Sequence, residues 1–249
     1  VTVNVISERL VKDSPPRNGS NERGEMRNLL ARVQANIGRQ LLLNDLVATI
    51  ETDFEEYGRV VDEAPAWHDK RVAPTDPDHN TLGPNNAFWV AIRDDEGEVV
   101  SCSAVRIWPK TRLIDMVNAG RFLYDGSKEQ GKESLHLFTE GLGHIDGNIA
   151  YCGGGWVHPK VRGLAISTMS IMLAQAKMLQ DFDVDYCFSM VRPDFIEKGM
   201  ALRTYRYYHM DFGATLWRAG TGERIDFWVL HNSRADLMRE MTLWVNTPG

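Results

Sequence analysis

The sequence has little of what would mark a secreted, membrane-bound or metal-dependent protein. It carries three cysteines in 249 residues. Cys102, Cys152 and Cys187 sit in strand-like runs without metal-ligand spacing, so they read as reduced core residues and exclude a disulfide framework. No apolar run approaches the length of a bilayer span, and the N-terminus lacks the charged-then-apolar pattern of a signal peptide. Basic residues are in the minority, 28 Lys and Arg against 34 Asp and Glu, for a formal net charge of −6. That balance argues against a broad nucleic-acid or anionic-membrane footprint, which needs a basic face to displace counterions. Internal repeats are also missing. The expectation is a cytoplasmic protein with neither nucleic acid nor membrane as partner.

What is present is a hydrophobic content of 43%, enough for a full core. Residues 1–24 pass from an alternating "VTVNVI" into a polar, Pro/Gly-rich stretch and predict a flexible N-terminal arm. Residues 25–86 predict a helical region and a long loop. Leu43, Leu46, Ile50, Phe54, Tyr57 and Val61 recur at three- and four-residue steps as one apolar stripe. The loop, 64–86, holds four prolines. Its His68, Asp69, Asp76, Asp78 and His79 match no standard ligand spacing, so no metal is expected. Residues 87–249 predict the main body, ending in a C-terminal helix. They begin with a hairpin, 87–109, turning at "DDEG". A helix at 111–124 follows, then an unpatterned connection carrying His136, His144 and Asp146. Beyond it the pattern reads strand, helix, strand, helix (195–210), two strands and a last helix. The fold class is α/β (α+β): a mixed, mostly antiparallel central sheet with helices on both faces.

Within that order, "WVHPKVRGLAIS" (156–167) joins a strand to a helix through a short basic turn. A helix start leaves backbone N–H groups unpaired and carries partial positive charge, which suits a phosphate group. Lys160 and Arg162 add charge, Gly163 permits close approach, and Ser167 and Thr168 add hydroxyls. Gly153, Gly154 and Gly155 interrupt the preceding strand, which marks either a bulge or the close approach of a ligand.

The order of elements resembles the GNAT superfamily of acyl-CoA-dependent N-acyltransferases over residues 87–231. Val157, Pro159, Arg162 and Gly163 stand in register with that family's strand-to-helix motif, as do Tyr207 and Phe212 in "RTYRYYHMDF". The resemblance implies a GNAT-like fold and an N-acyltransferase that moves an acyl group from acetyl-CoA or a longer acyl-CoA to a small-molecule amine, without a metal. It implies that Val157, Arg162, Gly163, Leu164, Ala165, Ile166, Ser167 and Thr168 hold the CoA pyrophosphate. Gly153, Gly154, Gly155 and Trp156 would flank the thioester, their backbone N–H groups polarising its carbonyl. Tyr207 would return a proton to the thiolate, with Tyr208 or Tyr205 as substitutes, and His158, His144 or Asp146 would serve as base.

Several positions depart from the family pattern. Ala165 stands where glycine is preferred and Ser167 where glycine or alanine is, Met200 replaces a customary asparagine, and Asp211 a glycine. No acid occurs in 148–157, where many members carry a glutamate. The glycine run predicts an acyl group larger than acetyl, or one delivered by acyl carrier protein. The alternatives are a non-catalytic acyl-CoA-binding sensor and an α/β sheet in which the motif is coincidence. The acidic balance favours a cationic acceptor, and the tryptophans with an uncapped sheet edge favour a homodimer.

Overall fold

The computed structural model describes residues 19–65, 71–125 and 133–246. Most of the expected arm, and both His68 and Asp69, lie outside the described residues; residues 19–24 are already helical. Helix α1 (Gly19–Leu42) forms because Leu30, Val33, Ile37 and Leu41 share one fully buried face. It ends where Asp45 takes a positive φ of 56°. Strand β1 (Val47–Glu51) and helix α2 (Phe54–Glu63) follow. The single helical stripe expected from Leu43 to Val61 is therefore wrong. The β-branched "VATI" pairs into the sheet, and the Asp53 carboxylate accepts from the N–H groups of Glu55 and Glu56 to start α2 anew.

The remaining elements are β2 (Ala87–Arg93), β3 (Val99–Trp108), α3 (Leu113–Asn118), β4 (Glu133–Leu137), β5 (Ile149–Val157), α4 (Ile166–Asp181) and β6 (Tyr186–Val191). They continue with α5 (Pro193–Glu197), α6 (Met200–Arg203), β7 (His209–Arg218), β8 (Glu223–Ser233) and α7 (Arg234–Asn246). The hairpin at 87–109 is as expected, turning on Gly97 at φ 84°. Two other expectations fail. The unpatterned connection contains β4, which lies at the sheet edge against β7. The helix expected over 195–210 is broken by Gly199 at φ 68° and ended before Arg206 at φ 58°, so Tyr205, Tyr207 and Tyr208 lie outside any helix.

All eight strands form one sheet in the order β1-β2-β3-β5-β6-β8-β7-β4. It is mixed and mostly antiparallel, the architecture that the resemblance implied; β5 and β6 are its parallel pair. Because β1 extends the same sheet and α1 packs with α4 and α7, residues 25–86 belong to the main body rather than standing before it. Helices α1, α4 and α7 cover one face around Met172, Ala150, Cys187 and Leu230. On the other face α2 packs Tyr57 against Trp89 and Trp156, and α3 joins Phe122, Tyr151 and Phe188.

Candidate functional site

The sheet opens where its parallel pair stops. Strands β5 and β6 pair only through Ile149–Tyr186, Ala150–Cys187 and Tyr151–Phe188. Beyond Tyr151 and Phe188, β5 stays with β3 and β6 stays with β8. The facing edges of Cys152–Val157 and Ser189–Val191 are left as a slot whose backbone groups can pair with an extended, amide-bearing ligand.

A bulge shapes the β5 side of this slot. Cys102 pairs with Trp156 and Ala104 with Gly153, so Gly154 and Gly155 together oppose Ser103. Gly154 takes φ 58° and its carbonyl accepts from Tyr57 Oη at 3.3 Å. The space that the glycines leave is largely filled from within the protein. A β-carbon on Gly153 would lie 2.3 Å from Tyr151 Oη, and one on Gly154 would lie 2.0 Å from Tyr57 Oη. Only Gly155 faces open space on that measure, its nearest neighbour being the Cys102 carbonyl at 4.0 Å. The expectation that the run clears room for a long acyl chain is therefore corrected: Tyr57 and Tyr151 occupy that room. Tyr57 was missed because it comes from α2, and nothing local in the sequence links it to Gly154.

At the upper end of β5 the chain makes a short 3₁₀ turn (Pro159–Val161) and enters α4, which starts at Ile166 rather than Gly163. Arg162, Gly163, Leu164 and Ala165 are exposed, Val157 and Ser167 half-buried, and Ile166 and Thr168 buried. Gly163 has φ 91° and Ala165 φ 56°, with no side chain capping the helix. Ala165 thus keeps a left-handed conformation that glycine adopts more readily, at a cost of roughly 1–2 kcal/mol. Lys160 does not contribute free charge here, because its ammonium pairs with Asp94 at 2.5 Å. Arg162 has no ion-pair partner among the described residues.

The three tyrosines separate by environment. Tyr207 is 2% exposed, its hydroxyl lies 3.2 Å from Cys187 Sγ, and burial pushes its pKa well up. Tyr208 turns to α7, where its hydroxyl donates to the Glu240 carboxylate and Arg239 lies over its ring. Tyr205 is half-buried and stacks on Phe195, and burial pushes its pKa up to about 12. His158 accepts from the Lys160 N–H at Nδ1, 3.1 Å, and its ring meets Trp156 edge-on. A neutral ring so held carries its proton on Nε2, which leaves neither nitrogen free to act as base.

His144 is drawn into a different cluster, on the α3 face near the closed end of the slot. Its ring lies 5.2 Å from that of His231, which stacks on His209 at 5.0 Å. His231 is 3% exposed and Nε2 donates to Asp211 at 3.0 Å, while Nδ1 has no hydrogen-bond partner among the described residues. His209 faces Asp236 at 3.2 Å. Burial lowers the His231 pKa; Asp211 opposes that shift, and His209 and His144 reinforce it. The unfolded chain therefore takes up this proton first as the pH falls. The stability His231 contributes is complete above its unfolded pKa near 6.5 and declines as the pH drops toward the lower folded value. The midpoint of thermal unfolding is expected to fall between pH 8 and pH 5, and His231→Gln is expected to flatten that slope. An unchanged slope in the variant would assign the pH dependence elsewhere.

Arg71 binds the carboxylates of Asp62, Asp76 and Asp78, so the acidic loop residues hold a guanidinium. Among the described residues no group of His, Cys, Asp or Glu is arranged to hold a metal ion. No described helix is long and apolar enough to cross a membrane. A cavity of about 330 Å³ lies between α3 and β4, lined by Phe122, Tyr124, Glu133 and His136 among others. None of its lining residues belongs to β5, β6 or α4.

No family model matches the chain, and no curated protein matches it significantly. Among solved structures it is similar to Arabidopsis thaliana NAA60 in complex with acetyl-CoA, at 12% identity and a TM-score of 0.46, over 76% of this chain and 99% of that one. Aminoglycoside acetyltransferase AAC(6')-Ib in complex with coenzyme A and kanamycin gives 10% identity, a TM-score of 0.43, and coverage of 78% and 98%. The spermidine/spermine N-acetyltransferase SpeG from Vibrio cholerae, in mutant form, gives 8%, 0.44, and 79% and 98%. At these values the likeness assigns neither activity nor residue roles.

Proposed function

We propose that the chain is an acyl-CoA-dependent N-acyltransferase that uses acetyl-CoA or a comparably short acyl-CoA and a small-molecule amine. The observation that carries this reading is the slot between β5 and β6, opening below the uncapped start of α4. The pantetheine amides pair with the facing strand edges. The pyrophosphate rests on the N–H groups of Ile166, Ser167 and Thr168, with Arg162 beside it. The amine attacks the thioester carbonyl, a C–N bond forms, the C–S bond breaks, and the thiolate leaves. Backbone N–H groups of the Gly154–Gly155 bulge stabilise the oxyanion. Slot residues supply no carboxylate, so the amine proton leaves through water. Tyr205, half-buried beside Cys152, returns a proton to the thiolate more readily than the buried Tyr207.

Thermal unfolding with CoA, acetyl-CoA and a long-chain acyl-CoA tests the donor site. Ligand at about 100 times its dissociation constant adds roughly 2.7 kcal/mol, a shift of about 5–10 °C for a chain of this size. Arg162→Ala with Gly163→Val is expected to abolish the shift, and Ala165→Gly to keep or enlarge it. In turnover, Tyr205→Phe is expected to lower kcat by about 10²-fold, and Tyr207→Phe far less. Absence of a shift with every donor would overturn the proposal. A second reading, a non-catalytic acyl-CoA-binding domain, is favoured by the lack of an acid on β5 and the burial of the Tyr207 hydroxyl. It predicts the thermal shift without turnover of any amine.

A further inference from the structure

The sheet orients every peptide unit of the β5 bulge except one. Along β3 the hydrogen-bonding groups of successive residues point to alternate neighbours. The Ile107 N–H turns to the β2 side, donating to the Asn86 carbonyl, and the Val100 carbonyl turns to the β5 side, accepting from the His158 N–H. By that alternation Cys102 and Ala104 bond to Trp156 and Gly153, while Ser103 turns away from β5. Gly154 and Gly155 therefore lie between widely spaced ladder bonds. A peptide unit is planar and trans, so each carbonyl and the N–H that follows it point in opposite directions. The Gly153 carbonyl faces β3, which sends the Gly154 N–H into the slot. The Trp156 N–H also faces β3, which sends the Gly155 carbonyl into the slot. The unit between them, formed by the Gly154 carbonyl and the Gly155 N–H, has no ladder bond to orient it.

What orients this unit comes from α2. Tyr57 is fully buried between Phe54 and Trp89, and its hydroxyl donates to the Gly154 carbonyl at 3.3 Å. The Cys102 thiol, a weak donor, lies 3.8 Å from the same oxygen. Both side chains belong to the cluster on the α2 face, so the carbonyl is held there and the Gly155 N–H is directed to the opposite face, which α4 covers. Burial pushes the Tyr57 pKa well up, so the phenol stays protonated and remains a donor. With glycine on both sides of the unit, no β-carbon opposes its turning over.

We infer that Tyr57 is a positioning residue for the reaction proposed above: it fixes the one unanchored peptide of the bulge, so that the Gly154 and Gly155 N–H groups act together on the oxyanion. The inference rests on that reading of the slot. Without the phenol the unit can turn and present its carbonyl, which repels the developing negative charge where an N–H would bind it. Tyr57 touches neither substrate; its effect passes through Gly154.

Tyr57→Phe keeps the ring and removes only the donor. Far-ultraviolet circular dichroism, KM for acetyl-CoA and the thermal shift given by CoA are expected to be unchanged, because the pantetheine and pyrophosphate contacts lie elsewhere. In turnover, kcat is expected to fall by about 10–100-fold, somewhat less than deletion of an oxyanion donor outright. The infrared carbonyl band of bound acetyl-CoA, labelled with carbon-13 at the thioester carbon, reads the same contact without turnover. It is expected at lower frequency in the wild type than in Tyr57→Phe. Equal kcat and equal band position in an active wild type would overturn the inference and leave the acyltransferase reading standing. A variant that loses the CoA thermal shift together with kcat would also overturn it, since Tyr57 would then support the slot as a whole. In a chain that binds acetyl-CoA without turning it over, the band alone decides. A wild type with neither thermal shift nor turnover overturns both readings.

Discussion

Replacing Arg106 with methionine is expected to destabilise the chain by about 1–3 kcal/mol, the usual cost of leaving buried polar partners without their hydrogen bonds. Arg106 is 2% exposed on β3. Its Nη1 donates to the Pro74 carbonyl at 3.1 Å and to Asn80 Oδ1 at 2.7 Å, its Nη2 pairs with the Asp125 carboxylate, and its guanidinium lies 4.7 Å from the Trp108 ring centroid. Asn80 in turn donates to the carbonyls of Ala73 and Leu123. One side chain therefore ties two loops, 73–80 and 123–125, to the sheet. Methionine fills the volume but strands the buried Asn80 Oδ1 and the Pro74 carbonyl, while the Asp125 carboxylate, 39% exposed, turns to water. Lysine supplies a single point charge that cannot reach all three acceptors, and recovers only part of the loss. The unfolding midpoint is expected to drop by roughly 5 °C. A loss below about 1 kcal/mol would mean that water replaces the guanidinium at little cost.

Gly154→Ala is expected to cost about 2–5 kcal/mol and to remove acyl transfer with it. Part of that cost, roughly 1–2 kcal/mol, comes from a β-carbon at φ 58°. The rest comes from overpacking, because the new carbon would lie 2.0 Å from Tyr57 Oη. Tyr57 cannot easily yield, since it is fully buried between Phe54 and Trp89. A double-mutant cycle separates the two parts: Tyr57→Phe deletes the colliding hydroxyl and leaves the backbone conformation strained. The pair is expected to recover the steric share and not the conformational one. Full additivity would show that the bulge relaxes away from Tyr57. Full activity in Gly154→Ala would sink the role of the bulge N–H groups in the proposed reaction.

Legibility in the sequence varied with the range of the interactions involved. The 87–109 hairpin, the β5 strand and the C-terminal helix α7 were readable because alternation, turn residues and apolar spacing are local signals. β4 was not: it is five residues long and half-exposed, and only pairing with β7 makes it a strand. The helix expected over 195–210 failed because Gly199 and Arg206 take left-handed conformations, and because Asn232 and Glu240 fasten Tyr208 to the sheet and α7. The helical stripe through Ile50 failed for a related reason: Phe54, Tyr57 and Val61 share a helix face in α2, but Ile50 lies in β1, which becomes a strand by pairing with β2.

The sequence by itself determined the fold class, the place where a strand hands over to α4 through a basic turn, and the presence of a glycine-permitted irregularity in β5. These follow from rules that act over a few residues: positive φ, helix starts and side-chain alternation. Only the tertiary structure decided what surrounds them. It took Lys160 out of the turn by pairing it with Asp94, engaged the Nδ1 atom of His158, buried Tyr207 against Cys187, and filled the space beside Gly153 and Gly154 with Tyr151 and Tyr57. The last of these contacts joins residues 97 positions apart. Local propensity carries no information across such a separation; packing and the need to satisfy buried polar groups do.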